Sequence, residues 1–296
     1  MQRRYRVDKG IKYLLFFSAI VSIIIVFLIF FFIFQSSLPA FQQIGLRNIL
    51  LETTWRPTNG QYGILAMIVG SVMVTFMAIV MGVPLALGAA IFLAEVAPRA
   101  VQNVFRSAIQ LLAGIPSVVY GLFGMVVLVP LVRRIPVPGN SGYGLLSAAI
   151  VLAVMILPTI TSVTEDALRA VPRSYKEASL ALGATHWQTI IHVMIPAAKS
   201  GIIAALILGV GRAIGETMAM IMVIGNSVIM PTPLTDNHLT IFLRQARTLT
   251  GNIAVEINYA TGLHESMLFA TGVVLFILIM IINASAHLIL RNAERS

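Results

Sequence analysis

The sequence predicts an all-α, polytopic integral membrane protein with about six transmembrane helices and both termini on the cytoplasmic side. Three observations predict it. Of the 296 residues 58% are hydrophobic and only 10% are charged, and a mean hydropathy of +0.93 lies far outside the range of soluble globular domains. The apolar residues are gathered into long runs of about 20 residues or more, the length that crosses a hydrocarbon core of about 30 Å. Lys and Arg are unevenly placed: thirteen lie in the segments that six crossings put on one side and six on the other, with Arg212 inside a span. The positive-inside rule makes the richer side cytoplasmic.

These features exclude several function classes. A formal charge of +9 would suggest nucleic acid in a soluble chain, but here the basic residues sit in short loops beside apolar runs, so they set orientation and no nucleic-acid partner is expected. Cysteine is absent, which removes disulfides, thiolate metal sites and thiol catalysis. His186, His192, His238, His264 and His287 are scattered without metal-ligand spacing, so neither a metal nor another cofactor is expected. No Gly-x-x-x-x-Gly-Lys-Ser/Thr occurs, so the chain does not itself cradle ATP. The 14 methionines read as gap-fillers between helices.

Taken in order, basic residues Arg3, Arg4, Arg6, Lys9 and Lys12 precede an apolar run from Tyr13 to Phe34, read as an uncleaved first span because it exceeds a signal-peptide core and has no small-residue cleavage site. Residues 35–63, with Pro39, Trp55, Arg56, Pro57 and Gly60, read as an external loop near the interface. Ile64 to Leu93 is an uncharged second span, kinked at Pro84. A polar link from Glu95 to Arg106 leads to a third span over Ala108 to Val132, in which Gly114-Ile115-Pro116-Ser117 and Gly121/Gly124 mark close helix contacts or a break. A turn-rich loop beginning at Arg133-Arg134 precedes the fourth span, Gly142 to Thr164. The fifth and sixth spans are Gly201 to Ile224 and Ser266 to Leu290, joined by a polar external loop whose Arg244 and Arg247, like Arg133-Arg134, draw anions, dock a partner or are simply solvated. The domain division is 1–63, tail plus first span and external loop, and 64–296, the core.

Two stretches carry chemistry. The cytoplasmic segment 165–200 is the longest charged piece between spans. Ser174 is a candidate N-cap with Glu177 completing a capping box. Ala178, Leu182, Trp187 and Ile191 suit a short amphipathic helix on each side of Gly183, which permits a turn between them. By periodicity alone this is equally an ordinary helical hairpin on the membrane surface. The second stretch holds Arg212 and Glu216, four residues apart in an otherwise apolar helix. An ionised side chain at bilayer depth costs at least roughly 2.5–3.5 kcal/mol, so a pair of them argues for use. A guanidinium cannot deprotonate and offers a planar fork to an oxyanion, while a carboxylate one turn away can hold it when no anion is present. The alternative is a structural intramembrane ion pair. Gly211 and Gly215 form a small-residue ridge that lets another helix approach.

The order Glu177-Ala178-Ser179, Gly183, then Val193-Met194-Ile195-Pro196 resembles the cytoplasmic coupling loop of permease subunits of ABC importers, with Ser for a second Ala, Val for Ile and Ile for Leu. Gly114-Ile-Pro-Ser-Val-Val-Tyr120-Gly and Gly211-Arg212-Ala-Ile-Gly215-Glu216-Thr217-Met218 look like the C-type permease subunit of phosphate-specific importers. The resemblance extends from about residue 64 to the C-terminus. It implies a type I ABC importer permease fold in a bacterial plasma membrane, moving inorganic phosphate inward by alternating access. It further implies a homologous second permease subunit, two ATPase subunits, an external phosphate-binding protein and surrounding lipid as partners. Glu177, Ala178, Ser179, Gly183, Ile195 and Pro196 are then the ATPase-coupling residues, Arg212, Glu216 and Thr217 line the substrate path, and no residue is catalytic. The rival functions are a permease for another oxyanion, molybdate or sulfate, and a membrane-embedded enzyme using Glu216.

Overall fold

The computed structural model describes the backbone of residues 2–295 and the side chains of residues 11–285 and 288. The side chains of Arg3, Arg4, Arg6, Lys9, His287, Arg291 and Arg295, which enter the sequence argument, lie outside the described ones. In chain order the helices are α1 (Gln2–Ile44) and α2 (Leu46–Leu51), then the hairpin β1 (Trp55–Arg56) and β2 (Gln61–Tyr62), then α3 (Leu65–Ile91) with a π-helical end over Phe92–Val96. α4 (Arg99–Gly114), α5 (Ser117–Phe123), a π-helical stretch (Gly124–Leu128) and α6 (Val129–Arg133) follow. Next come α7 (Leu145–Ala170), α8 (Arg173–Ala181), α9 (His186–Thr189), which continues through a π turn (Ile190–Met194) into α10 (Ile195–Ala197), and α11 (Lys199–Gly215). α12 (Met218–Val223), a 3₁₀ turn (His238–Leu243), α13 (Leu249–Glu256) and α14 (Leu263–Arg295) complete the chain.

Four helices are long and apolar enough to cross a bilayer unaided, Ile11–Ile44, Leu65–Val96, Leu145–Ala170 and Leu263–Ser285. Two further crossings are bent pairs. Arg99–Gly114 meets Ser117–Arg133 at 95°, and His186–Ala197 meets Lys199–Gly215 at 70°. The six predicted spans are therefore present, with two corrections. The third does not start at Ala108: α4 is an amphipathic helix that begins at Arg99 and turns sharply at Ile115-Pro116, because a proline disfavours helical backbone in the residue before it. The fifth is interrupted after Gly215. The predicted external loop at 35–63 is also more regular than its composition suggests, since α1 runs through Pro39 to Ile44 and a hairpin follows.

The core forms around α7. Its hydrophobic window is 61% buried, against 28% for α3 and none for α1. Leu145, Leu152, Ile156 and Ile160 of α7 are fully buried. Small residues on the neighbours let backbones approach: a Cβ on Gly82 of α3 would lie 3.1 Å from the Ala153 carbonyl, and one on Gly209 of α11 would lie 2.6 Å from Ile160. Lipid tails are as apolar as leucine, so such close contact, rather than escape from water, holds helices together here. From Tyr13 to Phe34 α1 carries nothing more polar than Ser18 and Ser22, and it lies on α14 through Phe30–Phe276 and Phe32–Phe269, with ring centroids 4.9 and 5.7 Å apart.

On the external side a buried carboxylate joins three distant segments. Glu256 of α13 accepts from Trp55 Nε1 at 2.9 Å through Oε2 and from Arg247 Nη1 at 2.5 Å through Oε1, and His264 Nε2 lies 2.8 Å from Oε2. Arg247 also donates to Asn252 Oδ1 at 3.0 Å and to the Asn226 carbonyl at 3.1 Å. Arg247 is thus a buried ion-pair partner and not a solvated loop charge. Burial raises the phenol of Tyr62, which packs edge-on against Trp55, and that of Tyr259, which Glu256 raises further.

Two predictions follow from this architecture. Glu256→Ala leaves Arg247 buried without its partner, a loss of about 3–5 kcal/mol, whereas Glu256→Gln keeps the shape and costs less; thermal unfolding in detergent ranks the two, and equal midpoints would refute the pairing. Single cysteines replacing Leu182 and Leu239, both exposed, label with an impermeant thiol reagent from opposite faces of the membrane; labelling of both from outside is the contrary outcome.

Candidate functional site

The helical hairpin after α7 is built differently from its sequence reading at one end. Pro172 occupies the N-cap of α8 with no side-chain hydrogen bond, so the capping box assigned to Ser174 and Glu177 does not form. Proline's fixed φ pre-sets the helical entry and starts the helix before Ser174, leaving the Ser174 and Glu177 side chains exposed. The capping box lies instead at α9, where Gln188 N donates to Thr185 Oγ1 at 3.3 Å and Thr185 N to Gln188 Oε1 at 2.8 Å. Between the helices Gly183 takes φ +86°, and a Cβ there would meet nothing within 4 Å. The requirement for glycine is conformational rather than steric.

Glu177, Ala178 and Gly183 are exposed, while the Ser179 and Thr189 hydroxyls lie 2.9 Å apart and hold α8 against α9. The expected apolar face points away from the rest of the chain: Leu182 is 90% exposed, and Tyr175, Trp187 and Ile191 are exposed with it. Ile195 and Pro196 stand in α10 at the 70° bend into α11. Sequence reasoning missed the ionic framework around this hairpin. Glu165, 5% exposed, lies 2.6 Å from Arg106 Nη2 and 2.9 Å from Arg169 Nε, and Arg169 Nη2 also donates to the Leu93 carbonyl at 2.8 Å. Glu95 takes Lys176 Nζ at 2.5 Å. The four-residue spacing of Glu165 and Arg169 is a signal that sequence carries; the Glu95–Lys176 pairing, 81 residues apart, has none.

The second region departs further from expectation. α11 ends at Gly215, and Glu216 has extended backbone, φ −70° and ψ 129°, so Arg212 and Glu216 are not on successive turns of one helix. Glu216 Oε1 accepts from Ala219 N at 3.2 Å and caps α12, where an anion meets the positive end of a helix. The Glu216 carbonyl accepts from Thr250 Oγ1 of α13 at 3.0 Å, and Thr217 Oγ1 donates to the Gly215 carbonyl at 3.3 Å. Arg212 is exposed in the isolated chain, not buried, and its Nη1 donates to Thr159 Oγ1 of α7 at 3.2 Å. Among the described residues the Arg212–Glu216 ion pair does not form, and most of the guanidinium fork has no protein partner. The Gly211/Gly215 ridge also packs against nothing, since a Cβ on either would meet no atom within 4 Å.

The structure brings the two quoted glycine motifs together. α5 packs on α12, where a Cβ on Gly121 would lie 2.8 Å from Met222 Sδ and 2.9 Å from Ala219 Cα, and one on Gly124 would lie 2.6 Å from Val151. Tyr120 Oη donates to the Leu112 carbonyl at 2.8 Å, bracing the break at Ile115-Pro116. Two broken spans thus meet at their breaks' upper segments, close to the point where Glu216 leaves the helix.

Six apolar crossings, two of them broken, with a helical hairpin standing out from one side, define a multi-pass membrane transport component. A model of the family described as binding-protein-dependent transport system inner membrane component matches residues 82–295, and the chain belongs to that family. It is 41% identical over 235 residues to the "Probable ABC transporter permease protein YqgH" of Bacillus subtilis, covering 78% of this chain and 73% of the relative. It is 37% identical over 281 residues to the "Phosphate transport system permease protein PstC" of Mesorhizobium japonicum, covering 88% and 83%. Among solved structures, a bacterial ABC transporter involved in import of the acidic polysaccharide alginate superposes with a TM-score of 0.64 at 17% identity, covering 97% of this chain and 99% of that one; this likeness concerns fold alone.

Proposed function

We propose that this chain is a permease subunit of an ATP-driven importer that carries inorganic phosphate into a bacterial cell across its plasma membrane. The observation that carries this reading is the Arg212 guanidinium, standing on a broken transmembrane helix with Glu216 turned away from it to cap α12. A fork of donors fixed in charge, of which only Nη1 meets a partner among the described residues, suits a phosphate oxygen pair, whereas a point charge does not. Arg212 lies 13 residues along α11, about 20 Å from its foot. A guanidinium facing lipid at that depth costs at least roughly 2.5–3.5 kcal/mol, so its face belongs against protein and water. A homologous second permease subunit covers it in this reading, with Thr217 and Glu216 beside the path.

One of two ATPase subunits docks on the exposed hairpin through Glu177, Ala178, Ser179 and Gly183, with Ile195 and Pro196 at the bend passing movement to α11, and the other docks on the second permease subunit. ATP hydrolysis belongs to those subunits, and alternating access moves the anion. An external phosphate-binding protein delivers it. Residues 64–296 form the permease core, and residues 1–63 add a lipid-facing helix and an external loop. Relatives named as phosphate transport permeases favour phosphate over molybdate or sulfate. An enzyme using Glu216 is disfavoured because the relatives are named as transporter permeases.

Radiolabelled phosphate uptake, normalised to assembled complex, tests the path. Arg212→Lys keeps charge but loses the fork, with uptake expected to fall about tenfold, the equivalent of roughly 1.4 kcal/mol. Arg212→Gln with Glu216→Gln is expected to assemble and transport poorly. Near wild-type uptake in the double variant would return both residues to a structural role. The hairpin is tested separately: Gly183→Val forces a β-branched residue towards left-handed backbone, at about 1–2 kcal/mol, and is expected to leave the protein in the membrane while ATPase recovery or coupling falls. Normal uptake with normal ATPase recovery would make the turn irrelevant.

A further inference from the structure

Chain continuity joins the cytoplasmic hairpin to two spans, α7 before it and α11 after it. Side chains join it to a third. Lys176 of α8 places Nζ 2.5 Å from Glu95 Oε2, and His186 at the start of α9 places Nε2 3.2 Å from the Glu95 carbonyl oxygen. The two contacts come from opposite sides of Gly183 and converge on one residue. The Ser179–Thr189 contact ties α8 to α9, so the hairpin meets Glu95 as a single body.

Glu95 lies in the π-helical end of α3, Phe92–Val96. Its side chain is 6% exposed while that of Lys176 is 31% exposed, so the carboxylate is fixed and the cation arrives from the hairpin. Arg169 at the end of α7 binds the Leu93 carbonyl in the same π-helical segment. α3 in turn lies along α7 and touches α11, and Gly82 sets its backbone hard against Ala153. Movement applied at Glu95 therefore reaches the packed centre of the molecule.

We infer that Glu95 is the joint through which the hairpin drives α3, with Lys176 and His186 as its two grips, and that all three are positioning residues for coupled transport. The inference rests on the permease reading given above. A pair with one partner a third exposed adds little to stability because solvent screens it. Its directional use is different: it sets which span follows the hairpin. Neither Glu95 nor Lys176 belongs to the coupling motif, and neither is on the substrate path.

The experiment uses the assembled importer in liposomes, measuring ATP hydrolysis and phosphate uptake on the same sample. Lys176→Met combined with Glu95→Gln removes the ionic grip of the joint, leaving only the His186 contact with the Glu95 carbonyl, and leaves no buried unpaired charge. Hydrolysis is expected to stay within about twofold of wild type while uptake per ATP falls about tenfold. In a second arm, cysteines at 95 and 176, in a chain otherwise free of cysteine, are bridged by a cleavable bifunctional maleimide; a joint that moves as one piece retains uptake when bridged. Unchanged uptake per ATP in the double variant overturns the inference. Loss of uptake on bridging, restored on cleavage, overturns it as well, and if the double variant fails to assemble, the bridged pair decides alone. A wild-type complex with ATP-driven uptake of a different oxyanion would sink the phosphate reading and leave the joint to be tested with that anion.

Discussion

A backbone that stops being helical inside a bilayer has no water to satisfy its amides, and this constraint governs the break after Gly215. The chain meets it with side chains. The Glu216 carboxylate takes the Ala219 amide, Thr250 reaches the Glu216 carbonyl from α13, and Thr217 turns back to the Gly215 carbonyl. With those groups satisfied, α11 can end and α12 can start at an angle that seats it on α5. The same satisfaction withdraws Glu216 from Arg212, so the free guanidinium and the broken helix are two results of one arrangement.

Around that break the molecule is fastened at both faces by carboxylates nearly closed off from solvent. Outside, Glu256 collects Trp55, Arg247 and His264, joining the segment after the first helix, the loop before α13 and the start of α14. Thr250, on the same short helix as Glu256, is the group that holds the break. Inside, Glu165 gathers α4 and α7 through Arg106 and Arg169, and Glu95 gathers the hairpin. Glu256 and Glu165 each take more than one donor, the condition under which a buried charge is tolerated, while the Glu95 carboxylate takes Lys176. Between the two faces the packing is apolar and close, through Gly82, Gly121, Gly124 and Gly209.

The six spans and their order were legible in the sequence because they depend on composition over about 20 residues. The turn at Gly183 was legible for a local reason: only glycine takes φ +86° at little cost. The break near Gly114-Ile115-Pro116 was visible as well, since proline restricts its neighbour. The Ser174 box was misplaced because Pro172 supplied the helix entry first, and a sequence offers both candidates without ranking them.

Sequence alone therefore determined that this is a helical membrane protein with a helical hairpin between spans and one arginine within a span, since those features follow from burial cost and local backbone preference. Tertiary structure decided what the charges do. Whether Glu216 faces Arg212 or caps α12, whether Arg247 is solvated or buried, and which span Lys176 holds all depend on partners that lie tens of residues away. An amide freed at Ala219, a carboxylate brought in by α13 and the foot of α3 exist as partners only after the helices have packed, and hydrogen bonds between such distant groups leave no period or spacing in the chain.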